Sequence, residues 1–388
     1  MTMHPQQPTA LSLFSGAGGF DLGIRKAGFN ILACLERDPF CCATLRANIE
    51  HEHGTTKVIE DDIRNIDPKQ LSVALGLEPG ELDLLFGGPP CQAFSQIGKR
   101  LALQDERGML FFEMVRFARV FRPRVILIEQ VKGLLNAPDH QGVIGGVMRL
   151  MHNELAALGY RVEWKVLLAA DYGVPQLRQR VFIVALREKV TFAFPEPTHR
   201  PPSQNQSLFS LPRYQTVGDA LADLPPPYTK EAYTGNDSHV DITPAGDKFR
   251  IHGVPEGDHL AAQQHLPAEQ RCTLTKKDTT KFRRMSRSNP ALTLRCGEVF
   301  FHPTEDRYLT VREYMRIHTY PDDYILKGAI RGRSGRVRDL DQYRQVANSV
   351  PPRLAEYIGR AILASLRSAK LEFTRALLRR PIDAIVRL

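Results

Sequence analysis

Apolar and polar residues alternate in two ways along the first 190 residues of the chain. Short apolar runs, each long enough for one buried strand, are separated by longer stretches in which apolar residues recur at helical spacing, as in GMLFFEMVRFARV at 108–120. This alternation predicts an α/β fold with a mostly parallel, doubly wound sheet. The predicted strands span 11–14, 31–36, 57–59, 82–86, 125–129, 162–168 and 180–185, with helices such as 109–121 and 142–158 between them.

The pattern changes after residue 194 and returns near Thr310. Prolines break regular structure in the intervening segment, and polar residues dominate it to about residue 270. We therefore divide the chain into a first domain over 1–196, a linker with a smaller, loop-rich domain over 197–305, and a return to the first domain over 306–388. The last part ends in a basic amphipathic helix, which we expect to pack on the domain with its charged face in solvent.

The positive charge is concentrated at one end of the chain. The 388 residues carry a net charge of +9, with 22 basic and 22 acidic side chains over 1–196. The net charge is −4 over 197–270 and +13 over 271–388. This distribution suggests a polyanion such as nucleic acid, contacted mainly by the C-terminal third, against the alternative of a solvated basic surface.

Other classes of protein fit the sequence poorly. No apolar run reaches the roughly 18 residues that cross a bilayer, and the first ten residues lack the features of a signal peptide. The six cysteines include no CxxC pair, which argues against a zinc module, and they do not form a disulfide framework. We expect a cytoplasmic protein with free thiols, no metal site and no membrane association.

Three successive strand ends carry groups suited to a nucleoside cofactor. The first strand leads into the glycine-rich turn FSGAGGF at 14–20, where backbone N–H groups can approach a ligand. Glu36 ends the second strand, where a carboxylate can hold ribose hydroxyls, and Asp62 after the third could bind an adenine amino group. The alternatives are a tight turn without a ligand and a solvated acidic turn.

The next strand ends carry candidate catalytic groups. Cys91 lies in the rigid loop GGPPCQAFS, where a nucleophile would be presented, whereas a structural cysteine is usually buried within an element. Glu129 follows four apolar residues and must be paired or protonated; in the latter state it could donate a proton. Arg178 and Arg180 alternate, so an extended backbone would point both to one face, either to clamp a carbonyl or phosphate or as surface ion pairs.

Taken together, these blocks resemble the DNA cytosine-C5 methyltransferases in order and spacing. The match includes LSLFSGAGGFDLG, GGPPCQAFS, DERGMLFFE, LIEQVKGLL and DYGVPQLRQR, followed later by TVGDALADLP, RYLTVREYMRIHTYPDDY and YRQVANSVPPRLAEYIGRAI. It covers roughly 11–194 and 305–366. Two departures stand out: Gln130 replaces the family's usual Asn after Glu129, and the late block has His318 and Tyr320 where Gln and Phe are commoner.

The resemblance implies a role for each matching residue. Cys91 would add to C6 of cytosine, Glu129 would bond N3 and the exocyclic amine, and Arg180 would contact the base carbonyl. Arg178 would help to place Cys91 and the DNA backbone. S-Adenosylmethionine would bind at the residues Phe14, Gly16, Gly18, Gly19, Glu36, Asp62, Pro89, Leu110, Asn348 and Val350.

In this family the segment between the two matching parts reads the DNA sequence, here at about 200–305. Arg283, Arg284, Arg287, Thr293 and, in the cysteine loop, Ser95 are the expected DNA-binding residues. We favour phosphate contacts over guanine contacts for the arginines, since most basic contacts position a protein without specifying sequence.

The resemblance predicts an enzyme that methylates C5 of a flipped-out cytosine in a specific double-stranded DNA sequence. We expect a monomer that belongs to a restriction–modification system, without a stable complex with the cognate endonuclease. Two alternatives remain open. One is a catalytically silent DNA-binding regulator of the same fold; the other is a tRNA cytosine-C5 methyltransferase.

Overall fold

The structure is a computed structural model that describes residues 7–90, 110–139, 141–187, 191–202, 211–230, 237–272, 282–332 and 339–378, with side chains to residue 369. The first part contains β1 (Thr9–Leu13), α1 (Gly19–Lys26), β2 (Asn30–Glu36), α2 (Pro39–His51), β3 (Lys57–Glu60), α3 (Pro68–Leu75), β4 (Leu84–Gly87), α4 (Leu110–Phe121), β5 (Val125–Val131), α5 (Gly146–Ala157), β6 (Arg161–Leu168), β7 (Gln176–Leu177) and β8 (Gln179–Leu186). The later part contains α6 (Val217–Leu221), β9 (Tyr228–Thr229), β10 (Val240–Asp241), α7 (Ala245–Ile251), β11 (Ala291–Leu292), α8 (Val311–Ile317), α9 (Gln342–Asn348) and α10 (Pro352–Leu378).

The central sheet has seven strands in the order β3-β2-β1-β4-β5-β8-β6. Strands β1 to β5 are mutually parallel, and β8 runs antiparallel to both β5 and β6. The prediction of a mostly parallel α/β sheet is confirmed. The reversed end arises because the loop between β6 and β8 is too short for the helical crossover that a parallel pair needs.

Helices cover both faces of the sheet, as expected for a doubly wound fold. On one face α1 packs against α10, and on the other α4 and α5 pack against the opposite side chains of the same strands. Period-2 alternation along each strand sends neighbouring residues to the two faces, so both clusters draw on every central strand. The expectation that the C-terminal helix packs on the domain is confirmed for the residues described, since Ile362, Leu363 and Leu366 are buried.

The segment between the two halves is loop-rich in its described part, where it holds α6, α7 and three two-residue strands. It shares a hydrophobic cluster with α8 and α9, in which Met285 and Leu294 pack near Tyr314 and Val346. A second small cluster surrounds Phe301. The strand pair β7–β11 joins this segment to the first domain by parallel backbone pairing.

Candidate active site

The parallel strands bring five chain segments together at one edge of the sheet. The carboxyl ends of β1, β2, β3, β4 and β5 lead to the glycine-rich turn, Glu36, Asp62, Pro89 and Glu129 respectively. Ligands of open α/β sheets bind at this edge, because the loops and polar groups that leave the strands converge there.

The glycine-rich turn needs glycine for two different reasons. Gly16 and Gly18 have φ of 54° and 79°, in the left-handed region that residues with a Cβ rarely adopt. Gly19 is needed for close approach, because a Cβ there would clash with the Tyr320 hydroxyl and the Val350 carbonyl. Phe14 also has a positive φ of 56°, a strained conformation that is held at the end of β1.

Glu36 joins the turn to the second strand. Its Oε2 accepts a hydrogen bond from the Gly16 N–H at 2.8 Å, and its Oε1 accepts from the N–H groups of Arg37 and Asp38 at 2.9 and 2.8 Å. Burial raises the pKa of Glu36, while the three backbone donors act in the opposite direction. Oε1 already accepts two donors, but Oε2 accepts only one, so Glu36 retains a site on Oε2 for a hydroxyl.

Asp62 lies beyond the end of β3 but its carboxylate is engaged. It caps a short 3₁₀ turn and accepts from the Arg64 guanidinium at 2.8 Å, with Arg37 at 3.4 Å. The hydrogen bonds from Arg64 hold the pKa of Asp62 well below its usual range. A ligand amino group would therefore share this carboxylate with Arg64.

Glu129 and Arg180 form an ion pair at the edge of the sheet where the carboxyl ends of β1 to β5 converge. Arg180 Nε lies 2.8 Å from Glu129 Oε1, and both side chains are about 13% exposed. The pair follows from the antiparallel register of β5 and β8, in which Val131 lies opposite Arg180. Glu129 lies two residues before Val131, on the same face of β5, and so is a diagonal neighbour of Arg180. The Glu129 carboxylate also lies against Gly88, where an added Cβ would be 3.1 Å from Oε2. Of the two states expected for Glu129, the structure shows the paired one.

The longer amide of Gln130 contacts the loop that precedes Cys91. Its Nε2 donates to the Pro89 carbonyl at 2.6 Å, and the side chain is buried. Strand β5 thus supplies both the acidic group and a hydrogen bond that holds the Pro-Pro backbone. Cys91 and Ser95 themselves lie outside the described residues.

Arg178 and Arg180 differ in their partners, although they lie close enough for the charge of Arg180 to act on Arg178. The chain leaves β7 at Leu177 and joins the main sheet at Gln179, which breaks the alternation at Arg178. Its guanidinium is buried and donates to the carbonyls of Leu294 and Ser349 at 3.3 and 3.0 Å. Burial, and then the charge of Arg180, lowers the pKa of Arg178 to about 9, which leaves it cationic at neutral pH. Both described hydrogen bonds of Arg178 are internal to the protein, and its expected role in placing Cys91 and the DNA backbone stays a prediction.

A cavity of about 650 Å³ opens beside Arg180, between the first domain and the loop-rich segment over 197–305, here called the recognition segment. The charged side chains that line it are all basic: Lys132, Arg180 and Arg295. Asn348 and Cys296 form its wall, with the Cys296 thiol donating to Asn348 Oδ1 at 2.6 Å. Such a lining suits an uncharged ring that carries a phosphate backbone.

The remaining residues expected at the cofactor are placed differently from one another. Val350 is buried against Gly19, and Leu110 is buried at the start of α4. Pro89 joins β4 to the cysteine loop. Asn348 is exposed and lines the basic cavity, where its described contact is with the Cys296 thiol.

The expected DNA-binding residues have separate environments. Arg284 is buried, and its guanidinium donates to the carbonyls of Ile251, His302 and Glu305 and to Asp306, so the expected DNA contact is corrected to a structural role. Arg287 is exposed and pairs with Glu256 at 3.1 Å. Arg283 is half-buried, with one hydrogen bond to the Gly257 carbonyl.

Thr293 anchors the recognition segment to the stretch 176–180, which holds Arg178 and Arg180 and is here called the catalytic loop. Its hydroxyl donates to the Leu177 carbonyl at 2.7 Å, and it lines the basic cavity.

Sequence reasoning missed several residues that shape this site. Gln176 and His318 are buried and bonded to one another, and Lys132 and Arg295 line the cavity. A usable signal existed for Gln176, since it begins the block Gln-x-Arg-x-Arg, but its partners are remote in sequence. In the described part of the chain, no helix could span a membrane and no three potential metal ligands cluster.

Comparison with known proteins agrees with this geometry. The model of the family described as C-5 cytosine-specific DNA methylase matches residues 9–364. The type II methyltransferase M.PspPI of Psychrobacter is 35% identical over 95% of this chain and 82% of its own length. M.AquIA of Picosynechococcus is 45% identical over 56% of this chain and 88% of its own length.

Solved structures agree on the fold. A prophage-encoded DNA modification methyltransferase of Escherichia coli superposes with a TM-score of 0.68 at 21% identity, over 93% of this chain and 99% of that one. The DNMT2 structure from Spodoptera frugiperda gives a TM-score of 0.56 at 19% identity, over 92% and 99%. Because the family model matches nearly the whole length of this chain, the chain belongs to the C-5 cytosine-specific DNA methylases.

Proposed function

We propose that the chain transfers a methyl group from S-adenosylmethionine to C5 of one cytosine in a specific double-stranded DNA sequence, through a covalent adduct with Cys91. The observation that carries this proposal is the Glu129–Arg180 pair beside the basic cavity, packed against the backbone that leads to Cys91. Arg180 lines the cavity and Glu129 is its ion-pair partner, so the two side chains can bind the carbonyl and the N3 edge of the same pyrimidine.

The reaction needs covalent activation because C5 of cytosine is a weak nucleophile. The Cys91 thiolate would form a bond to C6, and the electron pair that moves to C5 would then form the new carbon–carbon bond while the methyl–sulfur bond of the sulfonium breaks and leaves a neutral thioether. Glu129 would protonate or hydrogen-bond N3 as charge develops, while Arg180 would hold the carbonyl oxygen. Loss of the C5 proton to a base would expel the thiolate and regenerate the enzyme.

The residues at the glycine-rich turn fit the cofactor. Bound S-adenosylmethionine would supply an electrophilic methyl group on its sulfonium. Glu36 holds the Gly16 N–H and keeps a site on Oε2 for a ribose hydroxyl, and space is open above Gly16. Val350 and Leu110 offer apolar surface to an adenine ring, and Asp62 would share its carboxylate between Arg64 and the adenine amino group.

The target base must leave the duplex, because C5 and C6 are stacked inside it. Extruding the base costs a few kcal/mol, which phosphate contacts on both sides of the site must offset. Arg295 and Lys132 at the cavity, together with Arg283, Arg287 and Thr293, are the side chains that we assign to this grip. The type II names of the relatives favour action on DNA in the cytoplasm, as the modification partner of a restriction endonuclease.

Trapping on DNA that contains 5-fluorocytosine tests the covalent step. We expect a denaturation-resistant adduct that requires S-adenosylmethionine, because fluorine at C5 blocks release of the enzyme. Cys91→Ser should abolish both the adduct and methyl transfer while retaining DNA binding, whereas Cys272→Ser, at a half-buried cysteine of the recognition segment, should react normally. DNA binding by the wild type without any adduct would support the silent regulator instead.

Bisulfite sequencing of DNA from cells that express the protein would identify the methylated base and its sequence context together. Methyl incorporation into tRNA but not into DNA would overturn the choice of substrate.

A further inference from the structure

We infer that His318 is a positioning residue that fixes the DNA-side cavity by holding the recognition segment and the Ser349 backbone to the catalytic loop. This inference rests on the proposed function, because the cavity in question is the one assigned to the target base. His318 lies on neither the cofactor nor the base, so its effect must pass through the residues that it bonds.

The carrying observation is a closed ring of hydrogen bonds through four remote chain segments. His318 bonds Gln176 and the Ser349 carbonyl, both at 3.0 Å. Gln176 Oε1 accepts from the Leu294 N–H at 3.2 Å. Arg178 closes the ring by donating to the carbonyls of Leu294 and Ser349. Leu294 and Asn348, the neighbour of Ser349, both line the basic cavity.

The donors and acceptors in this ring leave a single protonation state for His318. The Leu294 N–H can only donate, so Gln176 must present its oxygen there and its NH₂ group to His318. A carbonyl can only accept, so the Nε2 atom of His318 carries the proton given to Ser349. The Nδ1 atom therefore accepts from Gln176, and the imidazole of His318 is neutral. A second proton would bind to Nδ1, and its N–H would then face the NH₂ group of Gln176, so that two donors would meet without an acceptor.

The surroundings of His318 agree with a neutral imidazole. The side chain is fully buried, Arg178 and Arg180 face it from the catalytic loop, and the Tyr320 ring stacks on it at a centroid distance of 6.3 Å. Burial, and then the charge of Arg178, lowers the pKa of His318 well below its ordinary value of 6.5. The unfolded chain takes up a proton at His318 near pH 6.5 and the folded chain does not. The free energy of unfolding should therefore decrease as the pH falls through that value.

The variants that test the inference separate hydrogen bonding from packing. His318→Gln keeps one donor and one acceptor, and His318→Leu fills similar space without them. We expect His318→Leu to raise the Kd for target DNA about tenfold, the change that corresponds to one buried group left unpaired. His318→Gln should restore affinity to within about threefold, and cofactor affinity should change little in either variant. His152→Leu, at an exposed histidine of α5, is the matched control.

A pH series supplies a readout that a simple packing role would not move. Between about pH 7.5 and pH 5.5, the free energy of unfolding of the wild type should fall more steeply than that of His318→Gln, because only the unfolded wild-type chain gains a proton at this position. Nitrogen-detected NMR of wild-type histidines should show one ring with Nε2 protonated and Nδ1 bare, and this holds even if His318→Leu does not fold.

Three results would overturn the inference: wild-type DNA affinity in His318→Leu, equal losses in the Gln and Leu variants, or a protonated Nδ1 in the wild type. Failure of the proposed function would instead appear as absent methyl transfer by the wild type, with the hydrogen-bond ring still visible by NMR.

Discussion

At the scale of single residues, the site depends on how neighbouring side chains divide different tasks. Glu129 pairs with Arg180 at the cavity, and the next residue, Gln130, turns to the opposite face of β5 and holds the Pro89 carbonyl. Arg178 and Arg180 are separated by one residue, yet one is buried in backbone contacts and the other faces the acid. Conservative changes at these positions should therefore have unequal effects.

Glu129→Gln should reduce methyl transfer by at least about 100-fold, because the amide cannot supply a proton or a negative charge at N3. DNA binding should remain within a few-fold of the wild type, since the change is isosteric. Single-turnover methylation and gel-shift titration would measure the two effects. Glu163→Gln, at a carboxylate on the edge strand β6 that pairs with Arg161, is the control and should be fully active.

Gln130→Leu should lower kcat while leaving cofactor affinity nearly unchanged. The substitution keeps the volume but leaves the Pro89 carbonyl buried without its donor, a cost of about 1–3 kcal/mol that the loop can avoid by moving. Steady-state kinetics with saturating DNA would show the effect. Gln70→Leu, at an exposed position of α3, should behave as the wild type. An unchanged kcat in Gln130→Leu would mean that this hydrogen bond does not position the cysteine loop.

At the scale of elements, the strands and helices of the first domain followed from local periodicity, but their long-range contacts did not. The predicted strand at 125–129 is Val125–Val131 in the structure, and the helix at 109–121 is Leu110–Phe121. The β7–β11 pair joins residues more than a hundred positions apart, so no local pattern could reveal it. A similar distance hid the partners of Arg178, whereas Arg284 is buried by contacts 18 to 33 positions away although its charge suggested a surface contact.

Arg284→Ala should destabilise the recognition segment rather than weaken DNA contacts directly. The substitution removes four hydrogen bonds, to three carbonyls and to Asp306, and we expect a loss of about 2–3 kcal/mol in the free energy of unfolding. Denaturant titration would measure it. Arg287→Ala, at an exposed arginine three residues away, should leave stability nearly unchanged. Equal stability of the two variants would contradict a structural role for Arg284.

Gly23→Ala should destabilise the protein because α1 and α10 touch at this residue. A Cβ there would clash with Ala355 and with the Pro352 carbonyl, and relief would require the helices to separate. We expect a loss of about 1–3 kcal/mol in the free energy of unfolding. Gly246→Ala in α7, where a Cβ meets open space, should be neutral or slightly stabilising. Denaturation of both variants side by side provides the comparison.

At the scale of the whole molecule, charge and shape agree on where DNA approaches. The sequence carries +13 over residues 271–388, and the cavity next to Arg180 has a wholly basic charged lining. The first domain supplies the cofactor turn and the acid, and the later part supplies much of the positive potential. Association should therefore depend strongly on ionic strength, since neutralised phosphates release counterions.

The logarithm of the DNA association constant should fall linearly with the logarithm of salt concentration, with a slope of about −0.9 for each phosphate contact. Arg295→Ala, at an exposed arginine of the cavity, should reduce the magnitude of that slope by about one. Fluorescence titrations at several salt concentrations would measure both slopes, with Arg119→Ala on α4 as a control. Identical slopes for Arg295→Ala and the wild type would show that this arginine does not touch phosphate.

The β7–β11 joint has a consequence for how such enzymes diversify. The two strands pair through main-chain atoms, with the Ala291 N–H donating to the Pro175 carbonyl, and the side chains of Thr293 and Gln176 add one hydrogen bond each. Main-chain hydrogen bonds survive most changes of side chain. The recognition segment can therefore drift toward a new target sequence while its docking register stays fixed, and exchanges between relatives should succeed when the crossover points lie outside this joint.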